Sequence, residues 1–236
     1  MKNTPIFTVI FIALAATSVC AVAQTNAQTP PQETTPPASL SSSPAVVPVP
    51  PTLPIIDPAK ELKGLALVEA LRRGGFVLYM RHAETGVVTE KCDQSNLSPV
   101  GEENARNVGA ALRELKIPID AVRSSQPCRC ADTARLLALG PVEITEDLNP
   151  AAPREGFDIG AARARRLAEA PMAGTNTVLV SHLHGSRKKE EWLHLEMAEI
   201  IVFRPEGNTH AEPVARVTVA GWTALKLALA PALTAR

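Results

Sequence analysis

The fold class that this chain predicts is α/β: a three-layer α/β/α sandwich around a largely parallel central sheet. Two observations lead there. Strand-like and helix-like segments alternate from residue 75 to the C-terminus, the pattern of a sheet packed by helices. The composition, 45% hydrophobic but only 3% aromatic, implies a core built mainly from Ala, Leu, Val and Ile.

The elements follow in order. "GFVLYM" (75–80) is a short apolar run after Gly-Gly and reads as a buried strand. Ser98-Pro99 opens a helix, since Ser is a good N-cap and Pro suits the first turn. Val108, Ala111, Leu112 and Leu115 then share one helical face, and Pro118 closes that region. "IDAVRSS" (119–125) reads as a second strand. A helix runs from about Cys130 to Leu139 and ends at Gly140-Pro141. "VEIT" (142–145) is a third strand. "GAARARRLAE" (160–169) is a helix broken by Pro171, its arginines expected on an exposed face. "TNTVLVSH" (175–182) is a fourth strand. "EIIVFRP" (199–205) and "ARVTVAGW" (215–222) read as two more, antiparallel at an edge, before a short C-terminal helix. No internal repeat is visible.

The N-terminus reads as an export signal over residues 1–23. Lys2 supplies the positive start, residues 6–23 are uncharged and mostly apolar, and Ala21-Val22-Ala23 fits a small-x-small cleavage site. An uncleaved anchor is the alternative. No other segment is apolar enough to span a membrane, so no stable insertion is expected after cleavage. Residues 24–58 are rich in Pro, Ser and Thr, cannot bury enough apolar surface to order themselves, and read as a disordered tether. The folded domain is expected over 59–236, in the periplasm or secreted. An oxidising compartment favours one disulfide among Cys92, Cys128 and Cys130, with Cys92 bonded to one of the other two.

The chain carries 24 basic and 24 acidic residues, which gives no footprint for nucleic acid. Ligands of open α/β sheets bind outside the carboxyl ends of the strands. One such end delivers Arg81 and His82, a second leads through Ser124-Ser125 to Arg129, and another ends at His182. Two guanidinium forks and two imidazoles converging there would make an anion pocket, with Arg129 beside the start of a helix where backbone N–H groups favour an anion. Fixed cations can stabilise a transferring phosphoryl group without a metal or other cofactor. A neutral imidazole can attack phosphorus and split hydrolysis into two easier steps.

"RHAET" (81–85), "LSPVGEENARNVGAAL" (97–112), "SSQPCRCADTARLL" (124–137) and "VLVSH" (178–182) together make the chain resemble the histidine phosphatase superfamily, in an exported bacterial branch. The resemblance implies a phosphoglycerate mutase-like fold. It also implies His82 as the phosphorylated nucleophile, with Arg81, Arg129 and His182 holding the phosphoryl oxygens. Two departures stand out. Ala83 takes a place where many members have Gly. The loop after the third strand, "TEDLNPAAPREG", has Leu148-Asn149-Pro150 where mutase-like members carry L-N-E. The proton donor is therefore open among Glu146, Asp147 and Glu155, with Glu146 first. A weak donor suits substrates with good leaving groups, such as phosphohistidine or phosphoanhydrides, and argues against mutase activity.

Other chemistries fit less well. His182-x-His184 lacks the further ligands of a metal hydrolase, and neither Cys128 nor Cys130 starts a C-x5-R loop. The residues "RKKEEW" (187–192) read as a solvated face. The expected function is a metal-independent phosphomonoesterase acting outside the cytoplasm on a phosphorylated small molecule or an envelope glycan. The alternative is a phosphate-ligand binding protein that keeps the pocket without turnover.

Overall fold

The computed structural model describes residues 56–89, 92–182 and 195–234. The expected signal, nearly all of the tether, and the stretch holding His184, Arg187, Lys188, Lys189 and His194 lie outside the described residues. Six strands form one sheet: β1 (Val77–Arg81), β4 (Ile119–Ser124), β5 (Val142–Ile144), β6 (Asn176–Ser181), β7 (Ile200–Gly207) and β8 (His210–Val217). Their order is β5-β4-β6-β1-β7-β8. β1, β4, β5 and β6 run parallel, and β7 and β8 are antiparallel at one edge. A separate two-stranded ribbon pairs β2 (Thr85–Thr89) with β3 (Cys92–Leu97).

The helices are α1 (Gly64–Arg73), α2 (Pro99–Glu114), α3 (Cys128–Leu137), α4 (Ile159–Ala168) and α5 (Val219–Thr234). Strand periodicity sorts them into two layers, because alternate side chains leave opposite faces of a sheet. Leu78, Met80, Val178, Val180, Ile200 and Val202 enter one core, which they share with buried residues of α1, α2, α3 and α5. Val77, Tyr79, Leu179, Ile201 and Phe203 enter a second, smaller core with Leu167 of α4 and with Leu148 and Leu195. The middle of β1 and of β6 is continuously apolar because both faces of the sheet are covered there.

Local signals explain the element ends. The Ser98 hydroxyl accepts from Gly101 N–H at 3.0 Å and caps α2. The expected face of α2 is fully buried at Val108, Leu112 and Leu115. The last strand lies earlier than "ARVTVAGW" (215–222) implies, running from His210 to Val217. Thr218 ends it, its hydroxyl accepting from Gly221 N–H at 3.1 Å, so Gly221 and Trp222 belong to the first turn of α5. α5 is correspondingly longer than expected, and α1 and the β2–β3 ribbon are additions to the sequence reading. Cys128 is disulfide-bonded, whereas Cys130 is a buried free thiol. No helix among the described residues is long and apolar enough to cross a membrane.

Two glycines set close approaches. A Cβ on Gly101 would lie 2.1 Å from the Glu84 carbonyl oxygen, and one on Gly109 would lie 2.0 Å from the Leu137 carbonyl oxygen. Backbone cannot yield as a flexible side chain can. Gly109 thus lets α2 pack on the end of α3, and Gly101 lets α2 pack on the loop that follows β1. Gly109→Ala should destabilise the fold by about 2 kcal/mol or more, in the range of overpacked cores. Chemical denaturation measures this, and an unchanged midpoint would contradict so close an approach.

Candidate active site

Parallel pairing places the site. β1 and β6 pair with Arg81 opposite Ser181, and β4 pairs with β6 so that Ser124 lies opposite Val180. The next residues along each strand, His82, His182 and Ser125, therefore leave the sheet side by side. Backbone hydrogen bonds continue the register past the strand ends: His82 N–H donates to the Ser181 carbonyl, and Ser125 N–H to the Val180 carbonyl. The two imidazoles meet edge to face, with ring centroids 5.5 Å apart.

His82 is 7% exposed. Its Nδ1 lies 2.9 Å from the carbonyl oxygen of Ala83. A carbonyl only accepts, so Nδ1 carries the proton and Nε2 keeps the lone pair. The backbone of this loop is itself tied down. Ala83 N–H donates to the Thr133 hydroxyl at 3.0 Å, and that hydroxyl donates to the Arg129 carbonyl at 2.6 Å. On the other side, Ala198 N–H donates to the His82 carbonyl and Arg81 N–H to the Glu199 carbonyl. The buried Glu199 carboxylate is in turn gripped by two nitrogens of Arg216.

Arg81 and Arg129 flank the histidines. Arg81 donates through one terminal nitrogen to the Leu195 carbonyl at 2.7 Å, while its Nε is buried without a hydrogen-bond partner among the described residues. Arg129 lies in the first turn of α3, which opens without a side-chain cap. Its guanidinium lies 3.1 Å from Nδ1 of His182. Of the acidic side chains on α2 and α3, Asp132 binds Arg135 and Glu102 binds Arg106.

Burial is the main cause of low basicity in both imidazoles. It pushes His82 down to about 4, with Arg129 and Arg81 adding to the effect against the opposing hydrogen bond to Ala83. It pushes His182 down to about 3, aided by Arg129, His82, Arg163 and Arg81. Both rings are thus neutral at neutral pH, the form a nucleophilic imidazole needs. The Cys130 thiol lies 3.4 Å from Nε2 of His182 and donates to the Ser181 carbonyl. Burial pushes this thiol up to about 12, so it is present as S–H.

Four of the five expected residues, Arg81, His82, Arg129 and His182, are gathered at this sheet edge. Glu146 is not gathered with them. It is an exposed residue of the 3-10 turn Glu146–Leu148, and its carboxylate binds Arg154 at 2.6 Å. Asp147 is bound to Arg166 at 2.7 Å, and Glu155 is exposed. Glu84 accepts the Ser98 hydroxyl at 2.7 Å. Among the described residues no carboxylate hydrogen-bonds either histidine, and no group of three or more metal-ligating side chains forms.

Three residues of the site's surroundings carry no role in the sequence reading: Ser125, Asn149 and Arg163. By sequence, Asn149 is only the middle of Leu148-Asn149-Pro150. Arg163, expected on an exposed face with the other arginines of 161–166, is instead half-buried. It reaches the Asn149 carbonyl at 3.1 Å, and its Nε is buried without a partner among the described residues. The signal available was the mixed face of α4, where Ala162 and Leu167 are buried beside it.

The family model of the histidine phosphatase superfamily (branch 1) matches residues 77–152. This match supports the superfamily; it starts at β1 and ends just beyond Asn149, before α4 and His182. No curated protein matches the chain in sequence. Solved structures similar to it include the protein histidine phosphatase SixA complexed with tungstate, at 15% identity over 61% of this chain and 97% of that one, with a TM-score of 0.48. A phosphoserine phosphatase variant from Entamoeba histolytica in complex with phosphoserine aligns at 16% identity over 60% and 95%, TM-score 0.42. The alpha-ribazole phosphatase from Shigella flexneri aligns at 18% identity over 58% and 94%, TM-score 0.42.

The two neutral histidines make stability depend on pH. In the unfolded chain they bind protons below about 6.5, whereas in the fold they resist protonation down to about 4 and 3. The unfolded state therefore holds more protons in this window, and stability rises with pH across it. From pH 6.5 downward to about 3 the fold should lose on the order of a few kcal/mol from this pair. Thermal melts of the wild type and His82→Asn should show a shallower loss in the variant. Equal acid sensitivity in the two would contradict a buried neutral His82.

Proposed function

We propose that the chain is a phosphatase that hydrolyses a phosphomonoester through a phosphohistidine on His82. The observation that carries this reading is the hydrogen bond from His82 Nδ1–H to the Ala83 carbonyl. It leaves the Nε2 lone pair free at the carboxyl end of the sheet, where the charges of Arg129 and Arg81 act on the ring. In the first step Nε2 attacks phosphorus as the bond to the leaving oxygen breaks, and the electron pair departs with that oxygen. The ring gains positive charge as the P–N bond forms, and the Ala83 carbonyl stabilises the Nδ1–H that then bears part of it. In the second step water attacks phosphorus, the P–N bond breaks and inorganic phosphate leaves. Arg81 and Arg129 hold the phosphoryl oxygens, with His182 beside them, and spread their charge.

The placement of Glu146 bears on the substrate. With its carboxylate on the surface beside Arg154, the leaving oxygen or nitrogen departs best when it needs little protonation. Phosphohistidine, phosphoanhydrides and activated phosphomonoesters meet that condition. Action outside the cytoplasm, without a metal, on a phosphorylated small molecule or an envelope glycan is part of the same proposal. It rests on the signal-like N-terminus and on the charge of the pocket. The surface position of Glu146 also favours the second reading, a binding protein of the same fold that retains phosphate without turnover.

An activated aryl phosphate assayed with EDTA separates these cases. The wild type should turn over with EDTA present, and His82→Ala should lose roughly 10³-fold or more of kcat. Equal rates in the two would exclude a phosphohistidine route. Loss of activity on chelation alone would point to a metal, and phosphate binding without turnover to the binding protein.

A further inference from the structure

The hydrogen bonds around His182 have a direction that can be derived from both ends. The side-chain oxygen of Asn149 takes Gln126 N–H at 3.0 Å. A backbone N–H only donates, so this atom is the amide oxygen and not the nitrogen. The same oxygen lies 3.1 Å from Ser125 Oγ, so the Ser125 hydroxyl donates to it. Ser125 Oγ lies 2.9 Å from His182 Nε2. With its proton spent on Asn149, Ser125 accepts here, and Nε2 carries the ring proton. Nδ1 is then bare. At the other end Arg129, which has no acceptor, requires the same result, because its guanidinium faces Nδ1 at 3.1 Å.

We infer that Asn149 and Ser125 are positioning residues: they lock His182 in its Nε2–H tautomer and so present a bare Nδ1 that aims the Arg129 guanidinium. This deepens the proposed phosphatase site and rests on that reading for its purpose. The chain runs Asn149, Ser125, His182, Arg129, and each link is buried or partly buried. Asn149 is itself held from two sides. Pro150 restricts the residue before it to extended backbone, and Asn149 has φ −65° and ψ 155°. Arg163 of α4 holds its carbonyl at 3.1 Å. Thus α4, on the far face of the sheet from α3, is linked to the phosphate-binding guanidinium through four side chains. Leu148-Asn149-Pro150 keeps an orienting role although no acid follows the asparagine.

The test is the tautomer of His182 in the full chain labelled with ¹⁵N-histidine, assigned by the signal lost in His182→Gln. The resting wild type at neutral pH should show a protonated Nε2 and a bare Nδ1. Ser125→Ala should bring in the second tautomer and weaken binding of orthovanadate by about tenfold, the effect of one lost buried hydrogen bond. Asn149→Ala should behave alike, whereas Asn149→Asp keeps an acceptor and should retain the wild-type tautomer. A proton on Nδ1 in the wild type, or an unchanged tautomer in Ser125→Ala, would overturn the inference. The spectrum is read without turnover. It can therefore fail in an active phosphatase, or hold in a chain that hydrolyses nothing.

Discussion

Backbone hydrogen bonds between parallel strands decide which residues leave a sheet together. Here that register is the constraint on which the site depends. With Arg81 opposite Ser181 and Ser124 opposite Val180, His82 leaves the sheet level with His182, and Ser125 one residue short of it. A slip of a single residue would turn every side chain of the strand to the other face. Such a slip would move Leu78 and Met80 out of the large core and Tyr79 out of the small one, at about 1.5–3 kcal/mol for each fully buried side chain. The apolar strands therefore guard the position of His82 more strongly than any contact His82 makes itself.

Polar groups at the carboxyl end of the sheet are consequently placed in a dry environment. Burial lowers the basicity of both imidazoles and leaves them neutral, while the two arginines remain charged. This division of labour suits the proposed phosphoryl transfer, in which a neutral imidazole offers a lone pair and guanidinium groups supply positive charge. It also explains why the buried polar atoms are mostly paired, since each missing partner in such a site costs more than it would at the surface. Among the described residues, the buried Nε atoms of Arg81 and Arg163 have no such partner.

Much of this was legible in the chain. "GFVLYM" and "TNTVLVSH" read as strands because apolar runs of that length are characteristic of buried sheet. Arg81, His82, Arg129 and His182 stood out because the strand-end rule gave them a common destination. The surroundings were less legible. Ser125, Asn149 and Arg163 are ordinary polar residues by sequence, and only the fold reveals that they are buried and mutually aligned. Glu146 lies in the loop where a proton donor is expected, yet a three-residue 3-10 turn sends its carboxylate to Arg154. By sequence Trp222 belongs to a strand, because "ARVTVAGW" continues an apolar run, whereas the Thr218 cap starts a helix there. The ribbon of β2 and β3, with its Gly86 and polar residues, carries little alternation to read.

The central claim is that the Ala83 carbonyl accepts the His82 Nδ1–H and so leaves Nε2 with the lone pair. Quenching the chain during turnover and resolving the phosphohistidine isomer by ³¹P NMR tests it most directly. A phosphoryl group on Nε2 of His82 is the result expected. An adduct on Nδ1, or on another residue, would contradict it.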